Sequence, residues 1–108
     1  MDYENTMRCL STGKTLIVFL EGDIDHHNAR PIRSRIDTKI YIQRPDELIL
    51  DLSHVTFMDS SGLGLVLGRY TKARAAGMDF SVVGCDRRVV RMFEMAGLER
   101  IVKIERKI

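Results

Sequence analysis

One short stretch constrains the fold more than any other part of this chain. An apolar, β-forming run, Leu48-Ile49-Leu50-Asp51-Leu52, leads into Phe57-Met58-Asp59-Ser60-Ser61-Gly62-Leu63-Gly64, and a pattern of helical period leads out. Asp59 and a pair of serines therefore fall where a strand turns into a helix. The start of a helix leaves backbone N–H groups unpaired and carries the positive end of the macrodipole. Ser60 or Ser61 is expected to cap that end, which also suits a phosphate. A cap needs one hydroxyl, and this loop has two beside a carboxylate. The surplus serine can be structural, a nucleophile or a site of phosphorylation.

The surrounding pattern defines an α/β chain. Residues 7–10 read as a first strand, Gly13 as a turn and residues 15–20 as a strand. Residues 21–25, Glu21-Gly22-Asp23-Ile24-Asp25, read as a loop. Ala29, Ile32, Ile36 and Ile40 then recur at three- and four-residue intervals on one helix face, with Pro31 in the first turn and Asn28 or Asp25 as the cap. A central helix is expected over residues 61–76, with Leu63, Val66, Leu67 and Tyr70 as its apolar stripe and Arg69, Lys72 and Arg74 as its charged side. Gly77 suits the left-handed position beyond its end. Gly62, Gly64 and Gly68 each cost about 1 kcal/mol relative to alanine inside a helix, so close backbone approach to a strand or a partner is expected there. Residues 80–83 form a strand, Asp86 caps a third helix whose inner face is Val89, Val90, Phe93 and Ala96, Gly97-Leu98 ends it, and residues 101–104 form a last strand. Strands alternating with helices imply parallel pairing, whereas the first two strands, joined by a short turn, pair antiparallel. The expectation is a mixed sheet of four or five strands with about three helices.

Composition removes several function classes. At 108 residues the chain has room for one modest core. Its 44% apolar and 30% charged residues match a folded soluble protein rather than a disordered one. Residues 16–20, the longest apolar run, are too short to cross a membrane, and Met1-Asp2-Tyr3-Glu4 lacks a signal-peptide pattern, which places the protein in the cytoplasm. Cys9 and Cys85 have no metal-ligand spacing and read as reduced thiols. A net charge of +2 does not by itself call for nucleic acid. Arg30, Arg33, Arg35 and Lys39 form one basic segment and Arg87, Arg88 and Arg91 another, without aromatic residues for base stacking. They read first as solvated helix faces and second as a docking surface for an acidic partner.

Catalytic and metal readings of the same residues are poor. A serine hydrolase elbow needs glycine on both sides of the nucleophile, and residues 58–62 have it on one side only. His26, His27 and His54 are possible bases with Asp25 or Asp59 as orienter, but nothing in their spacing makes them meet. The glycines of residues 62–68 lack the Gly-Lys-Ser/Thr ending of a P-loop, and the third is displaced from a dinucleotide fingerprint. His26 and His27, adjacent on a loop, do not converge on one metal ion.

The segment from Leu48 to Tyr70 resembles the central motif of STAS domains and, more narrowly, that of the anti-sigma factor antagonists that control the first forespore sigma factor of sporulating bacteria. Glu21-Gly22-Asp23-Ile24-Asp25-His26-His27-Asn28-Ala29 resembles the subfamily's loop, and residues 89–98 its third helix. The resemblance runs over nearly the whole chain and implies a single STAS domain over residues 1–108, with helices mainly on one face of a mixed sheet. It further implies a non-enzymatic protein without a cofactor of its own. The unphosphorylated form would bind an anti-sigma factor that is also a serine kinase, holding ATP or ADP, and release the sigma factor; phosphorylation would end binding, and a PP2C-type phosphatase would restore it. On matching positions the phosphoacceptor is Ser60, and Asp25, His26, His27, Asp59, Ser61, Gly62 and Gly64 are the partner-facing residues. No direct contact with nucleic acid or membrane is implied. A ligand-sensing or scaffolding STAS module is the alternative. The chain departs from the subfamily in the arginine content of its first helix and in the short stretch after Ile104, which leaves little room for a terminal helix.

Overall fold

A computed structural model describes residues 6–108; the leading segment Met1-Asp2-Tyr3-Glu4, read above for a signal pattern, lies outside the described residues. The elements follow in the order β1 (Met7–Thr12), β2 (Thr15–Ile24), α1 (Ala29–Gln43), β3 (Glu47–Met58), α2 (Ser60–Ala75), β4 (Asp79–Cys85), α3 (Arg87–Met95), a short 3₁₀ turn (Leu98–Arg100) and β5 (Lys103–Arg106). The five strands form one sheet in sequence order. β1 runs antiparallel to β2, and β2, β3, β4 and β5 run parallel.

Strand alternation builds the core. Leu16, Val18 and Leu20 of β2 and Leu48, Leu50 and Leu52 of β3 are fully buried, and they cluster with Ile32, Ile36 and Ile40 of α1, Leu65 and Val66 of α2, and Phe93 of α3. The helices lie mainly on that side, so Ile17, Phe19 and Ile49 on the alternate side of the sheet are only half-buried.

Several local expectations change. Residues 21–24, read as loop, continue β2, because Glu21 pairs with His54, Gly22 with Val55 and Ile24 with Met58. The turn-forming residues are absorbed by two irregularities in that ladder, one between Phe19 and Glu21 and one between Gly22 and Asp23. The last strand starts at Lys103 rather than Ile101, since residues 98–100 form the 3₁₀ turn. Ala96, expected inside, is exposed beyond the end of α3. α2 turns a different face inward: Gly62, Leu65, Val66, Arg69 and Ala73 are buried, and Leu67 is 42% exposed. Other features hold. Gly77 and Gly97 adopt positive φ after their helices, and the Asp86 carboxylate accepts the Val89 N–H at 2.9 Å. Cys9 and Cys85 are free, and burial pushes the Cys85 thiol up to about 12.

Candidate functional site

Parallel strands β2 and β3 end side by side, with Ile24 opposite Met58, so the loops that follow them share one end of the sheet. This is where open α/β sheets place ligands and partners. The Asp59 N–H donates to the Ile24 carbonyl at 3.2 Å, and Thr56 Oγ1 donates to Asp23 Oδ1 at 2.9 Å, tying the two strand ends together.

The first loop is held from within by Asn28. This residue is 3% exposed; its Oδ1 accepts the Asp25 N–H at 3.0 Å and its Nδ2 donates to the Asp23 carbonyl at 2.7 Å. Asn28 occupies the cap position of α1, but its side chain closes the preceding loop instead of capping. The Asp25 carboxylate accepts the His27 N–H at 2.9 Å, and the Asp25 carbonyl accepts the Ala29 N–H at 2.9 Å. His26 and His27 remain largely exposed, their ring centroids 4.0 Å apart.

The second loop corrects the capping assignment. Neither serine hydroxyl caps α2. Asp59 does: its Oδ1 accepts the Ser61 N–H at 2.8 Å and the Gly62 N–H at 3.4 Å. Its other oxygen accepts the His26 N–H at 3.3 Å and lies 3.7 Å from His26 Nδ1. Partial burial would raise the pKa of Asp59, but the N–H groups of Ser61, Gly62 and His26, helped by the His26 ring, outweigh it and hold the carboxyl below its ordinary value. Ser60 is the first residue of α2, exposed, and its hydroxyl makes no hydrogen bond among the described residues. The helix-start donors expected to receive a phosphate are thus largely taken by Asp59.

Of the three glycines, only Gly62 has an internal reason. A Cβ there would run into the Met58 side chain and come within 3.2 Å of the Ile24 carbonyl, so glycine lets α2 start directly over the strand ends. Gly62 itself is buried. Among the described residues, a Cβ at Gly64 or Gly68 would meet nothing within 4 Å.

The structure places Asp25, His26, His27, Asp59, Ser60, Ser61, Gly62 and Gly64 in the two adjoining segments that follow β2 and β3, a proximity that nothing in their spacing alone required. Two hollows are lined by residues near Ser60 in the chain, one by Ser61 and one by Phe57 and Met58. A groove of about 350 Å³ between the starts of α1 and α2 is lined by His26, Arg30, Arg33, Ser61, Gly64 and Leu65, among others. A smaller hollow of about 230 Å³ lies toward α3, against Phe57, Met58, Arg88 and Met92, with Phe57 53% exposed. Arg30 and Arg33 of α1, whose pattern indicates a solvated helix face, line this groove; only their placement at i and i+3 beside the loop marks them as part of the site. His54 lies on the strand opposite Glu21, away from the serines. Among the described residues no group of three or more metal-ligating side chains converges, and no helix is long and apolar enough to cross a membrane.

The model of the STAS domain matches residues 7–108. The chain belongs to the STAS domain family. Within it, the anti-sigma F factor antagonist of Paenibacillus polymyxa is 38% identical over 89 residues, spanning 82% of this chain and 76% of that protein. The anti-sigma-B factor antagonist of Listeria monocytogenes is 30% identical over 88 residues, 82% of this chain and 76% of that one. Among solved structures, the anti-sigma factor antagonist SpoIIAA in its unphosphorylated form superposes with a TM-score of 0.79 at 29% identity, covering 91% of this chain and 86% of that chain. The Bacillus cell fate determinant SpoIIAA in its phosphorylated form superposes with a TM-score of 0.73, also at 29% identity, covering 91% and 89%.

Proposed function

We propose that this protein is an anti-sigma factor antagonist switched by phosphorylation of Ser60. One observation carries the reading: an exposed serine hydroxyl, free of internal hydrogen bonds among the described residues, heads a helix that another residue caps. A hydroxyl needed for the fold could not be given to a kinase without loosening the helix, and this one is not needed. Similarity to SpoIIAA, solved in phosphorylated and unphosphorylated forms, supports a switch by phosphorylation.

The unphosphorylated protein binds an anti-sigma factor that is also a serine kinase, through a platform presenting Asp25, His26, His27, Ser61 and Gly64, with Asp59 and Gly62 holding it in place. Binding frees the sigma factor. The kinase transfers the γ-phosphoryl group of ATP to Ser60 Oγ, leaving ADP, and a PP2C-type phosphatase hydrolyses the phosphoserine. The protein itself works by association rather than catalysis, and acts in the cytoplasm with its partners.

Charge explains the switch. Phosphorylation adds about −1.5 to −2 charges. At Ser60 they stand beside a carboxylate kept ionised by its bonds, while the nearest N–H donors already serve that carboxylate. On an open surface water screens the added charge and the fold survives. Against a fitted partner the dianion is desolvated and unpaired, and about 4 kcal/mol lost there weakens binding roughly a thousandfold.

Ser60→Ala should bind the anti-sigma factor and resist phosphorylation, and Ser60→Asp should bind poorly with an unchanged circular dichroism spectrum. Phosphate mapped to Ser61 by mass spectrometry, after incubation with the anti-sigma factor and ATP, would refute the assignment.

A further inference from the structure

We propose that the groove between the starts of α1 and α2 seats an acidic segment of the anti-sigma factor, with Arg30 and Arg33 as its charged anchors. The proposal rests on the antagonist reading above and goes further by giving the partner's contact surface a chemistry.

Arg30 and Arg33 stand three residues apart on α1, so both side chains rise from one helix face. Both are exposed, and neither forms an ion pair or hydrogen bond among the described residues. Among the described residues, Asp37, Asp59 and Asp25 have other partners. Asp37, four residues after Arg33 and in register to pair with it, lies instead 3.3 Å from the buried Arg69 of α2. Asp59 is occupied by backbone N–H groups and His26, and Asp25 holds the His27 N–H. The α2 macrodipole adds positive potential at the same place.

Shape agrees with charge. The groove has about 350 Å³ of space, and Gly64 opens its wall, since none of the described residues stands within 4 Å of where a Cβ would be. Buried Leu65 supplies an apolar patch beneath. An extended acidic segment, with aspartate or glutamate reaching the two guanidinium forks and a small apolar residue over Leu65, fits such a trough. Nucleic acid fits poorly, because two arginines would neutralise few phosphates and, among the described residues, His26 is the one ring lining the groove.

The test uses the full chain and the anti-sigma factor encoded in the same genome, with affinity measured by titration calorimetry at low salt and at 0.5 M salt. The double variant Arg30→Glu, Arg33→Glu should bind at least tenfold more weakly at low salt and lose most of the wild-type salt dependence. Arg30→Gln, Arg33→Gln should lose affinity in the same direction but less, which keeps the test decisive if the reversed pair folds poorly. An equal change of net charge at Lys72 and Lys103, in the last turn of α2 and on β5, should leave affinity unchanged. If wild type binds and the arginine variants bind no worse than this control, the groove assignment is overturned and the antagonist reading stands. If wild type does not bind the anti-sigma factor, both are overturned. Saturable shifts of the Ser61 and Gly64 amide resonances on adding inorganic phosphate, abolished in variants that still bind the protein partner normally, would overturn the groove assignment in favour of a small-anion site.

Discussion

The Asp59 carboxylate accepts N–H groups from both loops of the site, Ser61 and Gly62 on its own helix and His26 across the gap. It therefore fixes the start of α2 and the position of the loop after β2 together. Asp59→Ala should lower the thermal midpoint at neutral pH, with the largest loss of amide protection at Ser61, Gly62 and His26. The pH dependence follows from the depressed pKa: the stabilisation is whole above the ordinary aspartate value of about 3.9 and disappears as pH falls through the lower folded-state value. The midpoints of wild type and variant should thus converge in acid, and a difference that persists unchanged at pH 2 would contradict the assignment. This residue also marks the limit of reading the site from residue types. Aspartate and serine cap about equally well, and Asp59, Ser60 and Ser61 are consecutive, so identity alone does not choose among them. The helix begins one residue earlier than its apolar pattern indicates, and that single step moves the cap to Asp59 and frees Ser60.

At the scale of elements, the strands were the most legible parts. Leu16, Val18 and Leu20, and Leu48, Leu50 and Leu52, alternate with period two and are buried as that period requires. The extension of β2 through Gly22 was hidden because turn-type residues there are accommodated by bulges, which depend on the partner strand. The inner face of α2 was misread because the helix has apolar residues nearly all round, so periodicity did not phase it. What phases it is the need for Gly62 to lie against Met58, which draws Leu65, Val66, Arg69 and Ala73 inward. Gly64 and Gly68 lie outside that contact, and both have helical backbone and open space. Replacing either with alanine should stabilise the protein by about 0.5–1 kcal/mol, read as a rise in the denaturant midpoint at constant slope. Gly64→Ala should nevertheless weaken binding of the anti-sigma factor, whereas Gly68→Ala, one turn further on, should not. Equal binding by both would mean that the opening at Gly64 serves nothing.

Across the whole molecule, α1 and α2 carry the two sides of the site and are joined by a contact the sequence pattern did not indicate. Arg69, expected on the solvent side, is 6% exposed, with Nη1 3.3 Å from Asp37 Oδ1. Its Nε and Nη1 have no hydrogen-bond partner among the described residues, and burial together with nearby Arg33 makes its charge harder to hold, against which Asp37 works. An ion pair in that condition contributes little net stability over an apolar pair, but removing one partner strands the other. Asp37→Ala should therefore destabilise the protein by about 2 kcal/mol, less than the 3–5 typical of a fully buried pair, because Asp37 keeps contact with water. The double variant Asp37→Leu, Arg69→Leu should recover most of that loss, as measured by urea unfolding in a double-mutant cycle. Recovery has a functional counterpart. With Arg69 gone and Asp37 apolar, Arg33 still lacks a carboxylate and the groove keeps its charge. In Arg69→Leu alone, Asp37 becomes available to Arg33 at i+4 spacing, so partner affinity should fall although the fold is intact. A single variant that binds like wild type would show that Asp37 does not set the charge of the groove.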